Sequence, residues 1–260
     1  MSDARVGDPR NVREHFGARA ERYARSVAHS SGDSLRLVVE LVEPQGGEAV
    51  LDVGVGPGFV AHALAPGVRL AVGADLAEPM LAAAVRKARE AQIGNFLPLC
   101  ADAHALPFED GAFDAVTSRT VLHHCEDAFG AIAEMARVCA QGGRVVICDT
   151  VAPEDPALNS MMNRIERLRD ATHVRNLTQS ELVEGMRAAG LEPDRVEKTR
   201  VHLRFQDWIE RASTPRRNVA ELLEILAWPQ PEVRLAFAIA EEAEDIGFSW
   251  PVAVVRGMKP

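Results

Sequence analysis

A glycine-rich loop placed directly after an apolar run constrains the fold of this chain more than any other feature. The apolar run covers residues 49–53, and Gly54, Gly56 and Gly58 follow at alternate positions before a helical pattern begins. Glycines let a backbone turn sharply from strand to helix and approach a ligand without side chains in the way. The loop therefore predicts an open α/β sheet with a ligand at its carboxyl edge, although a tight strand-to-helix turn alone would also explain it.

Short strand-like runs alternate with helical patterns from about residue 34 to residue 150. This alternation predicts an α/β fold with a parallel sheet and helices on both faces. Strands are expected, in chain order, at residues 49–53, 69–75, 95–100, 113–118, 143–149, 196–205 and 250–256. Helices are expected at residues 79–91, 128–140 and 155–173, after a capping box at residues 178–181, and, broken by prolines, over residues 206–245.

The chain is interpreted as one domain with three parts. Residues 1–43 are predicted to form an N-terminal cap, with two helices over residues 10–43 that are separated at residues 30–33. Residues 44–150 form the ligand-binding core. Residues 151–177 and 206–247 are predicted helical insertions, and we expect them to close over the core as a lid.

Composition argues against two classes of partner. The chain is 47% apolar and 26% charged, as an ordinary globular protein is, and no run approaches the ~18 apolar residues of a membrane span. A net charge of −9 opposes binding to nucleic acid, so a small-molecule partner is favoured. The polar N-terminal residues lack the pattern of a secretory or transit signal, which predicts a cytoplasmic protein.

The cysteines and histidines do not have the spacing of metal ligands. No two of the four cysteines form a CxxC pair, and all four fall in strand-like or helical runs, so buried free thiols are expected at Cys100, Cys125, Cys139 and Cys148. A metal site built from His123, His124, His173 and Asp149 lacks the helical ligand spacing of known zinc sites. The sequence therefore predicts no metal site.

Acidic residues at the ends of the second and third predicted strands indicate what the glycine loop binds. Asp75 ends the second strand, where a carboxylate can accept two hydrogen bonds from a ribose diol. Asp102 follows the third strand, where its carboxylate can accept hydrogen bonds from an adenine amino group. Phe59 takes the place of the third glycine of a dinucleotide-binding motif. The loop therefore suits a sulfonium cofactor with an amino-acid tail better than a pyrophosphate.

These residues, together with Phe113-Asp114 and the run Val121-Leu122-His123-His124, resemble the ubiquinone/menaquinone C-methyltransferase-like (type 11) family of class I methyltransferases. The resemblance covers nearly the whole chain. Three segments, at residues 152–156, 167–175 and 208–215, are similar to one bacterial subgroup. The resemblance implies a Rossmann-like seven-stranded sheet with an antiparallel last strand and S-adenosylmethionine as the cofactor. It also implies a small-molecule acceptor but does not fix which one.

The resemblance also implies roles for individual residues around the cofactor. Asp52 and the three loop glycines would hold the methionine moiety, and Asp75 the ribose. Leu76 and Met80 would line the adenosine, and Asp102 and Ala103 would bind the adenine. Arg119, at the end of the fourth strand, would be a further cofactor-binding residue, although a loop-packing role explains it equally well.

Candidate catalytic residues come from the fourth strand and from the first insertion. His123 and His124 follow the fourth strand at the ligand-binding edge of the sheet, where a base that deprotonates the acceptor would contribute ~10²–10⁴-fold; backbone capping is the alternative role. In the predicted helix at residues 155–173, an apolar stripe faces the body, formed by Leu158, Met162, Ile165, Leu168 and Thr172. Arg169 and His173 lie at its edge, one turn apart, and are expected to meet the acceptor or to be merely structural.

Three other functions fit the same sequence. A sulfonium cofactor also supports cyclisation or transfer of its aminobutyrate arm. An NAD(P)-dependent oxidoreductase is disfavoured by Phe59 in the loop. A catalytically silent cofactor-binding protein is disfavoured by the predicted acceptor lid.

Overall fold

The computed structural model describes residues 8–25 and 32–260, and a mixed sheet forms the centre of the fold. Its strands are β1 (Ala49–Val53), β2 (Leu70–Asp75), β3 (Phe96–Cys100), β4 (Phe113–Arg119), β5 (Cys139–Thr150), β6 (Glu192–Arg204), β7 (Ala240–Glu242) and β8 (Asp245–Met258). They lie in the order β3-β2-β1-β4-β5-β8-β6, and β7 pairs with β8. Strands β1 to β5 are parallel, whereas β8 runs antiparallel to both β5 and β6. The antiparallel last strand is confirmed, and the short β7 is an eighth strand that the sequence did not predict.

Helices cover both faces of the sheet and its carboxyl edge. In chain order they are α1 (Pro9–Gly17), α2 (Ala20–Ala24), α3 (Asp33–Val42), α4 (Phe59–Leu64), α5 (Glu78–Glu90), α6 (Ala128–Val138), α7 (Pro156–Arg169), α8 (Gln179–Ala188), α9 (Phe205–Ala212), α10 (Arg216–Ala227) and α11 (Pro231–Ala236). Short 3₁₀ helices lie at Ala65–Gly67 and Leu122–His124. No helix among these described residues is long and apolar enough to cross a membrane.

The period-two geometry of the central strands divides the core into two layers. Along β1, Leu51 and Val53 pack into a cluster with side chains of α6 and α8, whereas Val50 points into a cluster with side chains of α3, α4 and α5. Every residue of β1 is buried, as expected for a strand with helices on both faces.

A third cluster belongs to the lid. Met162 and Ile165 of α7 are completely buried there. They belong to the same cluster as Trp208 of α9, Trp250 of β8 and Phe237, the residue that follows α11. An amphipathic helix was expected in this segment and is confirmed, with Asp155 capping its first N–H groups. The helix ends at Arg169, however, and not at residue 173.

The early end of α7 changes two expectations. Thr172 is buried but lies beyond the helix, because Asp170 leaves the helical conformation and accepts hydrogen bonds from Thr172 N (2.8 Å) and Oγ1 (2.7 Å). Arg169 and His173 are therefore not one helical turn apart. The carboxylate of Asp170 organises a turn where the sequence pattern predicted a continuing helix.

Other boundaries differ for local reasons. The capping box is confirmed, since Thr178 and Glu181 cap each other's backbone N–H groups. The predicted helix at residues 128–140 ends at Val138 because β5 begins at Cys139, four residues before the predicted start. Residues 8–25 contain two helices instead of part of one, and residues 30 and 31 of the predicted break lie outside the described residues. Cys100 was expected to be buried but is exposed.

Candidate active site

One cavity opens at the carboxyl edge of the parallel strands and extends to the lid. On the side of β1, β2 and β3 its walls include Asp52, Gly54, Gly56, Asp75, Leu76, Met80, Asp102, Ala103 and His104. On the side of the N-terminal helices and the lid, they include Phe16, Tyr23, His123, His124, Glu166, Arg169, Trp208, Arg211 and Trp250. We call the first side the cofactor end and the second side the acceptor end.

The three glycines of the loop are needed for two different reasons. At Gly54 a Cβ would lie 2.2 Å from a methyl group of Val121, and at Gly58 it would lie 2.3 Å from the His62 ring. These two positions allow close packing. At Gly56 the backbone has φ +50°, and a Cβ would meet nothing within 4 Å. Gly56 is therefore the position where the loop faces open space, as a loop that approaches a ligand requires.

Asp75 links the glycine loop to the end of β2. Its Oδ2 accepts a hydrogen bond from Gly56 N (2.8 Å), and its Oδ1 accepts one from Ala77 N (2.8 Å). Burial raises the pKa of this carboxyl, and the two N–H donors partly offset the rise. Each carboxylate oxygen has a further lone pair, so a ribose diol in the cavity finds two acceptors on a side chain that is already oriented.

Asp52 is a buried carboxyl at the floor of the cofactor end. Its Oδ1 accepts from Thr117 Oγ1 (2.9 Å), and its Oδ2 accepts from Ala61 N (3.2 Å). Burial raises its pKa to about 7, although those hydrogen bonds and the nearby Arg119 favour the charged form. The guanidinium of Arg119 donates to Ser34 Oγ (3.0 Å), which ties the end of β4 to α3. A cationic ligand beside Asp52 would lower this pKa and stabilise the carboxylate.

Asp102 is held by a neighbour that sequence reasoning did not single out. His104 Nδ1 lies 2.7 Å from Asp102 Oδ1, and His104 N donates to the same oxygen (2.9 Å). The other ring nitrogen, Nε2, lies 3.0 Å from the carbonyl oxygen of Asp127. This pairing fixes the side chain of Asp102 at the wall of the cavity and leaves Oδ2 available to a ligand.

His123, at the acceptor end, forms a hydrogen-bonded pair with Asp149, which does not line the cavity itself. His123 Nδ1 lies 2.6 Å from Asp149 Oδ1, so Nδ1–H donates and Nε2 is the free base. Asp149 Oδ2 also accepts from the backbone N–H groups of Leu122 (2.8 Å) and Val121 (3.2 Å), which holds the loop after β4. Burial disfavours the imidazolium, but Asp149 outweighs it and raises the pKa of His123. The pair has the arrangement of a histidine base oriented by a carboxylate.

The other two candidate histidines are in less basic surroundings. Burial and the charge of His123 lower the pKa of His124 to about 3, and its Nδ1 lies 3.1 Å from Thr172 Oγ1. His173 does not line the cavity; its Nε2 donates to Asn163 Oδ1 (3.1 Å), and burial lowers its pKa to about 2. Both side chains therefore stay neutral near neutral pH.

Arg169 lies at the junction of α7 and α9 and lines the acceptor end. Its Nε donates to the carbonyl oxygen of Trp208 (3.2 Å), and its guanidinium lies 5.2 Å from the centre of the Trp208 ring. Glu166 Oε2 lies 3.5 Å from the guanidinium, and Tyr23 is also hydrogen-bonded to it. These contacts hold a charged side chain, 11% exposed, at the wall of the cavity.

Comparison with known proteins gives the family. A family model described as a methyltransferase domain matches residues 51–147. The uncharacterized methyltransferase YcgJ of Bacillus subtilis is 32% identical over 246 residues, which cover 94% of this chain and 97% of YcgJ. The chain belongs to the methyltransferase family.

Solved structures share the fold of this methyltransferase. The crystal structure of YcgJ superposes with a TM-score of 0.82 at 33% identity, over 87% of this chain and 97% of that one. A structure from Bacillus halodurans, described as a candidate methyltransferase, gives a TM-score of 0.83 at 29% identity, over 88% of this chain and all of that one. The Rossmann-like fold that the sequence predicted is confirmed.

One further relative bears on the resemblance drawn from the sequence. A demethylmenaquinone methyltransferase of Thermus thermophilus is 45% identical over 121 residues, which cover 45% of this chain and 54% of that protein. The resemblance to a methyltransferase family with relatives of this kind is confirmed, and S-adenosylmethionine is the cofactor of that family.

The cavity brings together most of the residues that the sequence singled out in this methyltransferase. Those that line it are Asp52, Gly54, Gly56, Asp75, Leu76, Met80, Asp102, Ala103, Arg119, His123, His124 and Arg169. Gly58, the residue before α4, and His173, which bonds Asn163, do not line the cavity.

Several residues of the site were missed or weighed too lightly. Asp149, which does not line the cavity itself, was considered only as a metal ligand, yet its carboxylate orients His123. Tyr23, Glu166 and Trp250 were not considered, and they come from segments far apart in the chain. The sequence did carry a local signal for Asp149. It is an acidic residue at the end of the fifth predicted strand, as Asp75 is at the end of the second.

Proposed function

We propose that this methyltransferase transfers a methyl group from S-adenosylmethionine to a small-molecule acceptor bound between the glycine loop and the lid. The observation that carries the proposal is the continuous cavity, which has the glycine loop and Asp75 at one end and the His123–Asp149 pair beside the other. A cofactor and an acceptor bound in one enclosure are held in contact, and methyl transfer requires that contact.

The cofactor end fits the chemistry of S-adenosylmethionine. Open space at Gly56 admits a ligand against the backbone, and Asp75 offers two oriented acceptors to a ribose. Asp52 offers a buried carboxyl that a cationic ligand would ionise, which suits the ammonium and sulfonium charges. Leu76, Met80, Asp102 and Ala103 are proposed to take the adenosine, as the family resemblance implied.

The residues of this chain would act on the acceptor in two ways. When bound, the cofactor supplies an electrophilic methyl group for in-line displacement. The cavity walls orient the acceptor and exclude water, which can contribute roughly 7–11 kcal/mol. Nε2 of His123 accepts the proton that the acceptor loses, and Asp149 stabilises the imidazolium that results. His124 packs against His123 at a ring distance of 4.1 Å and helps to fix it without ionising.

The enclosure of the acceptor end supports a small acceptor over a macromolecule. Arg19 of the N-terminal cap donates to the carbonyl oxygen of Ala212 (2.9 Å), and Arg22 donates to Glu210 O (2.8 Å) and Ser213 Oγ (2.6 Å). These bonds connect the cap to the end of α9, the helix that carries Trp208 and Arg211. We propose that residues 1–43 are the cap, 44–150 the cofactor-binding core, and 151–177 and 206–247 the lid.

Product analysis tests this function. The protein is incubated with S-adenosylmethionine carrying a labelled methyl group and fractions of a small-molecule extract, and the spent cofactor is identified by mass spectrometry. We expect S-adenosylhomocysteine together with labelled small molecules. Methylthioadenosine without a labelled product would contradict methyl transfer and support a non-methylating reaction. A thermal shift with NAD(P)H but none with S-adenosylhomocysteine would support an oxidoreductase instead.

A further inference from the structure

His124 lies at the acceptor end beside the base, and its hydrogen bonds fix which ring nitrogen carries the proton. Its Nδ1 lies 3.3 Å from the carbonyl oxygen of Thr172 and 3.1 Å from Thr172 Oγ1. A carbonyl oxygen can only accept, and the hydroxyl proton of Thr172 is donated to Asp170 Oδ1 at 2.7 Å. Nδ1 of His124 is therefore the donor to both oxygens, and Nε2 carries an unprotonated lone pair.

The carboxylate that takes the Thr172 proton is held in its charged form. Asp170 is buried, accepts from Thr172 N at 2.8 Å and lies 3.3 Å from His15 Nε2 of α1. Burial raises the pKa of Asp170, but the hydrogen bond to His15 and nearby positive charge outweigh it and hold the pKa well below its usual range. An ionised carboxylate can only accept, so Thr172 Oγ1 remains the donor to it and is left with lone pairs for His124.

The unprotonated edge of the His124 ring faces the methyl acceptor. His124 lines the cavity, whereas Thr172 and Asp170 do not, so Nδ1 is turned to the wall and Nε2 to the interior. Among residues 8–25 and 32–260, Nε2 has no hydrogen-bond partner, and it keeps accessible surface. Because burial and the neighbouring His123 lower the pKa of His124 to about 3, this nitrogen accepts hydrogen bonds near neutral pH without taking up a proton.

Aromatic side chains surround this lone pair. The ring of Phe16 meets the His124 ring edge-on at a centroid distance of 4.8 Å, and Trp208 and Trp250 line the same end of the cavity. A molecule bound between these walls displaces water from Nε2, and a buried polar atom left without a hydrogen bond is costly. The site therefore favours a molecule that supplies a donor to this nitrogen.

We infer that the methyl acceptor carries an O–H or N–H group close to its reacting atom, and that this group donates to Nε2 of His124. The inference rests on the proposed function, because it assigns the group bound beside the base. The rings of His123 and His124 lie 4.1 Å apart, so the donor stands only a few atoms from the position that His123 serves. An ether or carbonyl oxygen in its place would set one lone pair against another, and the site would discriminate against it.

Nitrogen NMR of the full chain tests the tautomer without an acceptor. Long-range proton–nitrogen spectra separate protonated from unprotonated ring nitrogens, and the signals lost in His124→Phe identify His124. We expect its Nε2 to be unprotonated. His173 should show the opposite tautomer in the same spectrum, because its Nε2 donates to Asn163 Oδ1 at 3.1 Å.

Matched phenols test the binding role on the full chain saturated with S-adenosylhomocysteine. Catechol offers one O–H to each of the two imidazoles, whereas guaiacol, its monomethyl ether, offers a single O–H. By calorimetry we expect catechol to bind about tenfold more tightly than guaiacol, a difference of about 1.4 kcal/mol. His124→Phe keeps an aromatic ring beside Phe16 and should remove the preference. His202→Phe is the matched control, since His202 is exposed beside Glu242 on β6, and should keep it.

Three results would overturn the inference. They are a wild-type His124 protonated mainly on Nε2, a wild-type protein that does not prefer catechol or binds neither phenol, and a full preference retained in His124→Phe protein that still binds S-adenosylhomocysteine. If His124→Phe does not fold, His124→Met replaces it, and the wild-type comparison of the two phenols still decides. Failure of wild-type protein to bind S-adenosylhomocysteine at all would contradict the proposed function itself, so the two failures are distinguishable.

Discussion

The cofactor end and the acceptor end of the cavity are built in different ways. At the cofactor end, short contiguous segments after β1, β2 and β3 supply backbone groups and short acidic side chains. At the acceptor end, long side chains converge from the N-terminal cap, α7, α9 and β8. A site made from strand ends keeps its geometry while the sheet is intact, whereas a site made from lid side chains changes with single substitutions. The first suits a constant cofactor and the second suits an acceptor that varies among relatives.

The two ends also hold their charges differently. Asp52 and Asp75 are carboxyls whose pKa values burial raises, so a cationic ligand would favour their ionised forms. Arg169 is already surrounded by Glu166, Tyr23 and Trp208 without any ligand. We therefore expect substitutions at the cofactor end to change cofactor affinity, and substitutions at the acceptor end to change turnover.

The largest effect is expected at the His123–Asp149 pair. His123→Gln should lower turnover by ~10²–10⁴-fold, the usual contribution of a general base, and leave the affinity for S-adenosylhomocysteine unchanged. The measurement is kcat with the acceptor found by product analysis, and His202→Gln, on β6 beside Glu242, is the control. Wild-type turnover in His123→Gln would remove the base from the account.

The pH profile of the wild-type protein checks the same role. Only neutral imidazole accepts a proton, and Asp149 raises the pKa of His123 above its usual value of 6.5. The rate should therefore rise with pH through a value above 6.5 and level off once His123 is neutral. A rate that falls across this range would contradict the assignment.

The second largest effect is expected at the cofactor end. Asp75→Asn loses the negative charge and the second acceptor oxygen, so S-adenosylhomocysteine should bind about tenfold to a hundredfold more weakly, as charged hydrogen bonds are worth about 1.5–3 kcal/mol. Calorimetry measures this, with Asp110→Asn as the control because Asp110 is an exposed partner of Arg137. Unchanged affinity in folded Asp75→Asn would remove the ribose assignment.

A smaller effect is expected at the acceptor end. Arg169→Met should lower turnover about tenfold, about 1.4 kcal/mol in transition-state stabilisation, with cofactor affinity intact. His173→Asn is the comparison, because His173 lies outside the cavity and bonds Asn163. It should lower the melting temperature and leave turnover near the wild-type value. A loss of turnover in His173→Asn equal to that in Arg169→Met would contradict the purely structural role given to His173.

The smallest effect concerns stability. The pKa of Asp52 is about 7 in the folded protein against 3.8 in the unfolded chain, so stability is lost as pH rises through 7. Asp52→Asn should therefore stabilise the cofactor-free protein by about 1 kcal/mol at pH ~8 and by less at pH ~5, because a lost hydrogen bond offsets part of the gain. Thermal melting at both pH values measures this, and an equal shift at both would contradict the ionisation.

The same difference between the ends decides how far the sequence predicts the molecule. The strands and the cofactor end follow from local patterns, since Gly54, Gly56 and Asp75 stand at strand ends that hydrophobic runs define. The end of α7 did not follow, because the turn at Asp170 depends on side chains the periodicity does not reveal. Tyr23 and Glu166 are brought to the cavity by tertiary packing alone. No spacing in the sequence reports a contact between residues so far apart.

The central claim is that the cofactor end binds S-adenosylmethionine. The most direct measurement is a calorimetric titration of the wild-type protein with S-adenosylhomocysteine, with NADH titrated in parallel. The account predicts saturable binding of S-adenosylhomocysteine with one site per chain, and no binding of NADH. No heat of binding with S-adenosylhomocysteine, or saturable binding of NADH at the same site, would contradict it.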